Sequence, residues 1–335
     1  MPAAIQSEAR GSLVQVLLAY FAIYIVWGST FLAIRDGVAV LPPLLYAGLR
    51  FLSAGIILYL WVARTGFPKL SRAVWRNAVF LGFLMFCVCY SCLFWAEQYV
   101  PSGLAAVVLS TIPIWTLLFE VFVYRTEKFS ARVAGGTLAG FLGVAVLALP
   151  GSHLSGTSIG LVALLILTFE GGCWGLGTVL SRRMELPESK VVSATIQMGS
   201  GGVMLLIASG LIGEFSRFHW TAITPTVWFA LFYLILGGSI IGFTAYIWLL
   251  GHQPVQRVAS YAYVNPVIAV VIGYFLGGEK LNAHILFGTA LILAGVLAVA
   301  LPRKKDSDSA ASCSIMPLMK SPPTEIPARP VNYQE

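Results

Sequence analysis

Charge is what this chain has least of. Only 10% of its 335 residues are Asp, Glu, Lys or Arg, where a soluble domain carries about a quarter. Metal-ligating side chains are also thin. His153, His219, His252 and His284 stand apart at the ends of apolar runs, so no metal cluster is readable. Cys87, Cys173 and Cys313 are scattered, and Cys89 and Cys92 form a C-x-x-C inside an apolar run with no second pair and no histidine nearby. That spacing reads as packing in lipid rather than as a zinc or redox site. No nucleophile stands beside a base, and there is no P-loop and no dinucleotide fingerprint. The glycine-rich stretch Gly171-Gly172-Cys173-Trp174-Gly175-Leu176-Gly177 lies in mid-run and follows no strand, so it signals helix packing rather than phosphate binding. These absences exclude an ATP-driven machine and an enzyme, and they imply no metal and no cofactor.

What the chain has instead is apolar length. Hydrophobic residues make up 58% of it, mean hydropathy is +0.84, and the runs are mostly about 20 residues long, enough for a helix to cross the hydrocarbon core. Barrel strands would be about half that length and would alternate in polarity. The expectation is an all-α integral membrane protein with ten transmembrane helices. The first run, Leu13 to Ile34, is too long for a signal-peptide core and has no small-residue cleavage site after it, so it reads as a retained span.

The net charge of +7 would suggest nucleic acid in a soluble protein, but its placement has a simpler meaning here. With ten crossings and a cytoplasmic N-terminus, Arg64, Lys69, Arg72, Arg76, Arg125, Lys128, Arg132, Arg182, Arg183, Lys190, Arg257, Arg303, Lys304 and Lys305 fall on the cytoplasmic side. Only Arg35, Arg217 and Lys280 fall outside. This positive-inside asymmetry predicts a multi-pass protein of the plasma membrane with both termini in the cytoplasm.

The runs repeat. Pro254 and Pro266 lie 153 residues after Pro101 and Pro113, Trp248 lies 153 after Trp95, and Trp174-Gly175 lies 147 after Trp27-Gly28. Gln197 follows Arg50 and Gly202 follows Gly55 at that same 147, while Glu279-Lys280, Gly288 and Gly295 follow Glu127-Lys128, Gly136 and Gly143 at 152. The expected organisation is a lead over 1–12, a five-helix repeat over 13–150, a second over 158–301, and a disordered cytoplasmic tail over 302–335. Five is odd, so the second repeat is inverted relative to the first. Halves of that kind exchange inward-open and outward-open forms around a site near mid-bilayer.

Two proline-broken runs in matching places point to that site. One holds Thr111-Ile112-Pro113, and the other Ser260-Tyr261-Ala262-Tyr263-Val264-Asn265-Pro266, where the helix is expected to bend or open near Asn265. Tyr20, Tyr24, Trp27 and Phe31 share one face of the first span, as a packing stripe or a ring-lined wall, with Thr30 beside them. The candidate cavity residues are Tyr24, Trp27, Thr30, Tyr90, Trp95, Pro113, Glu170, Trp174, Tyr246, Ser260, Tyr263, Asn265 and Pro266. Arg50 and Gln197 are candidates for an interior structural or gating role. Glu170, midway along span six, either binds a proton or a cationic solute, is held neutral by a neighbour, or pairs with Arg50. Aromatic walls with few formal charges suit an amphipathic organic solute.

Taken together, the pattern resembles the EamA-type branch of the drug/metabolite transporter superfamily over about residues 13–301. The resemblance rests on Trp27-Gly28-Ser29-Thr30-Phe31, Arg50-Phe51 with Ala54-Gly55, Pro101-Ser102-Gly103 to Pro113, Ser260 to Pro266, and Glu279. It implies an inner-membrane exporter of amino acids, metabolites or drugs, with a central cavity lined by spans one, three, four, six, eight and nine. The expected partners are a small-molecule substrate, the lipid bilayer and coupling protons, with no nucleic acid. The residues also leave open an uncoupled facilitator and a scaffold or sensor that signals through its tail.

Overall fold

The structure, a computed structural model, describes residues 12–126, 128–147, 158–219, 221, 223–253, 258 and 261–300, apart from the side chains at 132, 158, 247, 250, 251, 263, 299 and 300. Residue Glu127, the N-terminal lead up to 11 and the tail from 301 lie outside that set, and so do the expectations placed on them.

Seven helices are long and apolar enough to cross a membrane: α1 Leu13–Val38, α2 Pro43–Ala63, α3 Arg72–Ala96, α4 Ser102–Val123, α6 over Ser158–Ser181 with its apolar part from Ile159, α7 Lys190–Leu211, and α8, apolar over Pro225–Tyr246 and continuing to His252. Three shorter apolar helices complete the set: α5 Ala131–Leu147, α9 Tyr261–Phe275 and α10 Ala283–Ala300. No strand occurs among the described residues. The exterior is apolar as well as the core. Leu165, Phe229, Phe232 and Phe275 are exposed, while Tyr46, Phe51, Phe94, Leu164 and Leu205 are buried. An exterior of that kind suits lipid rather than water.

Side-chain caps start several helices. Ser12 and Gln15 form a capping box, and Ser71, Ser189 and Thr224 each accept from a backbone N–H three residues on. Helices α2 and α4 begin instead at Pro42-Pro43 and Pro101-Ser102, with no side-chain cap of their own. Distant carboxylates serve them. Glu214 accepts from the N–H groups of Leu44 (3.3 Å) and Leu45 (2.8 Å), and Glu279 accepts from those of Ser102 (2.7 Å) and Gly103 (3.1 Å). A carboxylate at a helix N-terminus both satisfies orphan donors and complements the dipole.

Glycines bring repeat-related helices together at backbone distance. On α5 and α10, a Cβ at Gly295 would stand 2.5 Å from the Gly136 carbonyl, and one at Gly143 would stand 2.8 Å from the Gly288 carbonyl. The contacts are reciprocal and antiparallel, because Gly288 and Gly295 are the residues 152 beyond Gly136 and Gly143. On α2 and α7 the same holds. Gly55 faces Gly199, Gly202 faces Leu52, and an offset of 147 exchanges one contact for the other. Only glycine permits so close an approach.

The two interrupted runs behave differently. In α4 the helix breaks at Ser110-Thr111, whose hydroxyls turn back to the Val107 and Val108 carbonyls, and a new helical segment starts at Ile112 with Pro113 in its first turn. Helix α9 carries Pro266 within it and is not interrupted there. The register changes lie elsewhere, in π-helical stretches over Ala22–Val26 of α1, Gly82–Val88 of α3, Phe119–Val123 of α4 and Leu234–Ile241 of α8. Those in α3 and α8 coincide under the 153-residue offset that carries Trp95 to Trp248.

The ends of the helices sort into two faces. At one, Arg35 of α1, Ser102 at the start of α4 and Glu279 beyond α9 meet. At the other, Glu120 near the end of α4 pairs with Arg183 beyond α6 at 2.7 Å, Thr126 joins them, and Asn77 of α3 donates to the Glu185 carbonyl. Lys280 adjoins the first cluster and Lys128 the second, at opposite ends of α4.

Candidate functional site

Helices α1, α8 and α9 build an aromatic corner. The Trp27 indole N–H donates to the Gly238 carbonyl at 2.8 Å, and its ring meets Tyr246 at 5.5 Å and Tyr261 edge-on at 5.3 Å. Tyr246 and Tyr261 cross at 5.8 Å in a T-shape, the arrangement that ring quadrupoles favour. The position of Trp27 depends on Gly242, where a Cβ would stand 2.2 Å from the indole nitrogen. Thr30 is buried beside it and donates to the Trp27 carbonyl at 2.6 Å, and the Tyr24 ring meets that of Tyr20 at a tilt, 5.4 Å between centres. Asn265, with its amide nitrogen turned toward α1, donates to the carbonyls of Ile23 (2.9 Å) and Tyr24 (3.2 Å). Both acceptors lie in the π-helical stretch of α1, where the helical ladder is irregular. The side chain of Asn265 thus ties α9 to α1.

A second group lines the interior between α2, α3 and α6. Arg50 is 3% exposed, and its Nε donates to the Ser239 hydroxyl of α8 at 3.1 Å. Its guanidinium lies 4.7 Å from the Phe51 ring centre and 5.3 Å from that of Tyr90, and cation–π contact offsets part of the cost of burying the charge. Its Nη1 has no hydrogen-bond partner among the described residues. Gly238 leaves the guanidinium its room, since a Cβ there would lie 3.0 Å from Nη2. Tyr90 also packs against Phe51 (4.4 Å) and Trp174 (5.9 Å).

Glu170 is 3% exposed, its backbone carbonyl accepts from the Cys89 thiol at 3.8 Å, and its Oε2 is unpartnered among the described residues. The expected alternative of an Arg50–Glu170 pair does not occur among the described residues, because Arg50 turns to α8 instead. Trp115 rests on Gly171 and Gly175 of α6, and its Nε1 is likewise without a partner.

Other candidates fall apart from these groups. Trp95 pairs with Tyr99 at 4.8 Å, Pro113 starts the second segment of α4, and Gln197 donates to Ser193 one turn back in α7. Pro266 is inside α9. Ser260 and the Tyr263 side chain lie outside the described residues. Tyr261, Ser239, Gly238, Trp115 and Glu97 belong to the interior and were not singled out by sequence. Glu97 in particular closes the third apolar run at helical spacing from Tyr90 and Phe94, and it is 2% exposed.

The structure defines a helical bundle with an apolar exterior and a polar, aromatic interior, and comparison with known proteins places it among transporters. The chain belongs to the EamA-like transporter family, which matches it over residues 14–149 and 158–301, once for each half. It is 39% identical over 286 residues to the uncharacterized inner membrane transporter YedA of Escherichia coli K12, across 84% of this chain and 90% of that protein. It is 28% identical over 281 residues to a probable amino-acid metabolite efflux pump of Salmonella typhimurium, across 82% and 91%. A solved crystal structure superposes with a TM-score of 0.58 at 19% identity, covering 85% of this chain and 97% of that one, which speaks to the fold alone.

Proposed function

We propose that the protein is a secondary transporter of the inner membrane that exports a small organic solute, an amino acid, metabolite or drug, by alternating access between two inverted five-helix repeats. In this reading α1 to α10 all span the bilayer and both termini are cytoplasmic. The observation that carries it is the reciprocal, antiparallel packing of α5 on α10 and of α2 on α7, the contact that a two-fold axis lying in the membrane plane would generate. The efflux pump named among the relatives and the positive-inside charge pattern support the outward direction and the topology.

The solute binds between the aromatic corner of Trp27, Tyr246 and Tyr261 and the polar wall of Arg50, Tyr90, Glu170 and Trp174. Flat rings take its apolar body, while the unpartnered Nη1 of Arg50 and Oε2 of Glu170 take its polar ends. Glu170 carries the coupling proton or faces a cationic group. Counterflow in proteoliposomes across amino acids and cationic drugs tests this. Saturable exchange of at least one such solute, lost in Arg50→Gln, is the expected result. No exchange by a folded preparation across the whole set would overturn it.

A further inference from the structure

The carboxyl of Glu97 takes part in none of the hydrogen bonds described above. It is buried, and neither of its oxygens has a hydrogen-bond partner among the described residues. Burial holds it well above the usual carboxylate range, with Glu170 and Glu279 adding to the effect and Arg35 and Arg50 opposing it.

Its surroundings join the interior to the outer face. One turn earlier, the Phe94 ring packs on Tyr46 at 5.4 Å, and the Tyr46 hydroxyl donates to the Ala33 carbonyl at 3.1 Å, two residues before Arg35. Five residues later comes Ser102, held by Glu279 through its N–H (2.7 Å) and its hydroxyl (2.6 Å). Arg35 reaches the same Glu279 oxygen at 2.7 Å and the Gly277 carbonyl at 3.1 Å, and its other nitrogen pairs with Asp36. This clamp binds α1, α4 and the α9–α10 link at one end of the molecule. The charged and titratable groups whose fields act on Glu97 are Glu170 of α6, Arg35 of α1, Arg50 and Tyr46 of α2, and Glu279 of the link.

Resting on the transport reading above, we infer that Glu97 is the group coupling the interior to the outer clamp: while it holds a proton the Arg35–Glu279–Ser102 clamp stays shut, and when it loses the proton the clamp releases. An ionised Glu97 draws Arg35 away from Glu279 and repels Glu279, and both effects are strong where water is scarce. The shut form therefore binds one more proton than the open form, and rising pH favours opening. A proton taken from outside closes that face behind it, and its loss inside frees the outer face to open for the solute.

The test needs no substrate, so it separates this coupling from the transport reading. Spin labels replace the exposed Val40 and Leu281, on either side of the clamp, in full-length protein whose native cysteines have been exchanged. Pulsed distance measurements are made in liposomes at about pH 5.5 and about pH 8.5. The parent is expected to move to longer distances by roughly 5 Å at the higher pH. Glu97→Gln stays short at both values, Glu279→Gln is long at both, and Glu97→Asp, which keeps a carboxyl, retains the pH response. An unchanged pH response in Glu97→Gln overturns the inference, as does a parent that ignores pH while Glu279→Gln opens. Counterflow without the distance shift sinks the coupling alone, and the shift without counterflow sinks the transport reading.

Discussion

Gly143 faces the carbonyl of Gly288 so closely that a Cβ on it would stand 2.8 Å away, and Gly288 faces the Gly143 carbonyl in return at 3.1 Å. A leucine at either position must push backbone from backbone. Gly288→Leu is expected to lower unfolding free energy by about 1–3 kcal/mol, as overpacking does elsewhere. Gly135→Ala, where a Cβ meets nothing within 4 Å, serves as the silent control. Thermal unfolding of both variants in detergent checks the difference.

Lys128 and Lys280 lie toward opposite ends of α4. Cysteines placed at these two positions are expected to react with an impermeant maleimide from opposite sides, Lys280→Cys from outside and Lys128→Cys only after the membrane is opened. Labelling of both from one side would defeat the inverted arrangement.

The Trp27 indole is held to the Gly238 carbonyl at 2.8 Å. Trp27→Phe keeps a ring near Tyr246 and Tyr261 but drops the donor, leaving that carbonyl short of a partner. A loss of about 1 kcal/mol in stability is expected, with a several-fold rise in the half-saturating solute concentration in counterflow.

Glu170 lies deep in α6 with one carboxylate oxygen unpartnered among the described residues. Glu170→Gln keeps the shape and removes the titratable group. Solute exchange at equal pH is expected to survive, whereas uptake driven by an imposed pH gradient is expected to vanish. A variant still driven by the gradient would place the coupling proton on another group, whereas a parent protein indifferent to the gradient would favour uncoupled facilitation.

Much of the architecture could be read from the chain because bilayer thickness and close helix packing both leave periodic marks. Run lengths anticipated the long apolar helices, and Gly136, Gly143, Gly288 and Gly295, legible in sequence as marks of the repeat, face one another across the contact of α5 with α10. Beside Pro113 the helix breaks, at Ser110-Thr111, while at Pro266 helix α9 runs on without opening. Local chemistry could not say that Asn265 would reach the α1 carbonyls, because that contact spans the length of the chain.

Glu97 was missed for a similar reason. A carboxylate at the end of an apolar run usually reaches water, and that Glu97 is buried instead follows from packing between helices that no local pattern shows. Glu279 stands out in the sequence through the repeat and the family resemblance, but its partners Arg35 and Ser102 are far away along the chain, so its place in a clamp needs three dimensions. Arg50 read correctly as interior, while its acceptor, Ser239, carried no local signal at all.

The wide-turn stretches in α3 and α8 occupy matching positions of the two halves, Gly82–Val88 and Leu234–Ile241. A wide turn loosens the bond ladder of a helix locally and changes the phase of its faces, so each half carries a point of altered helical phase at the same place in its own sequence.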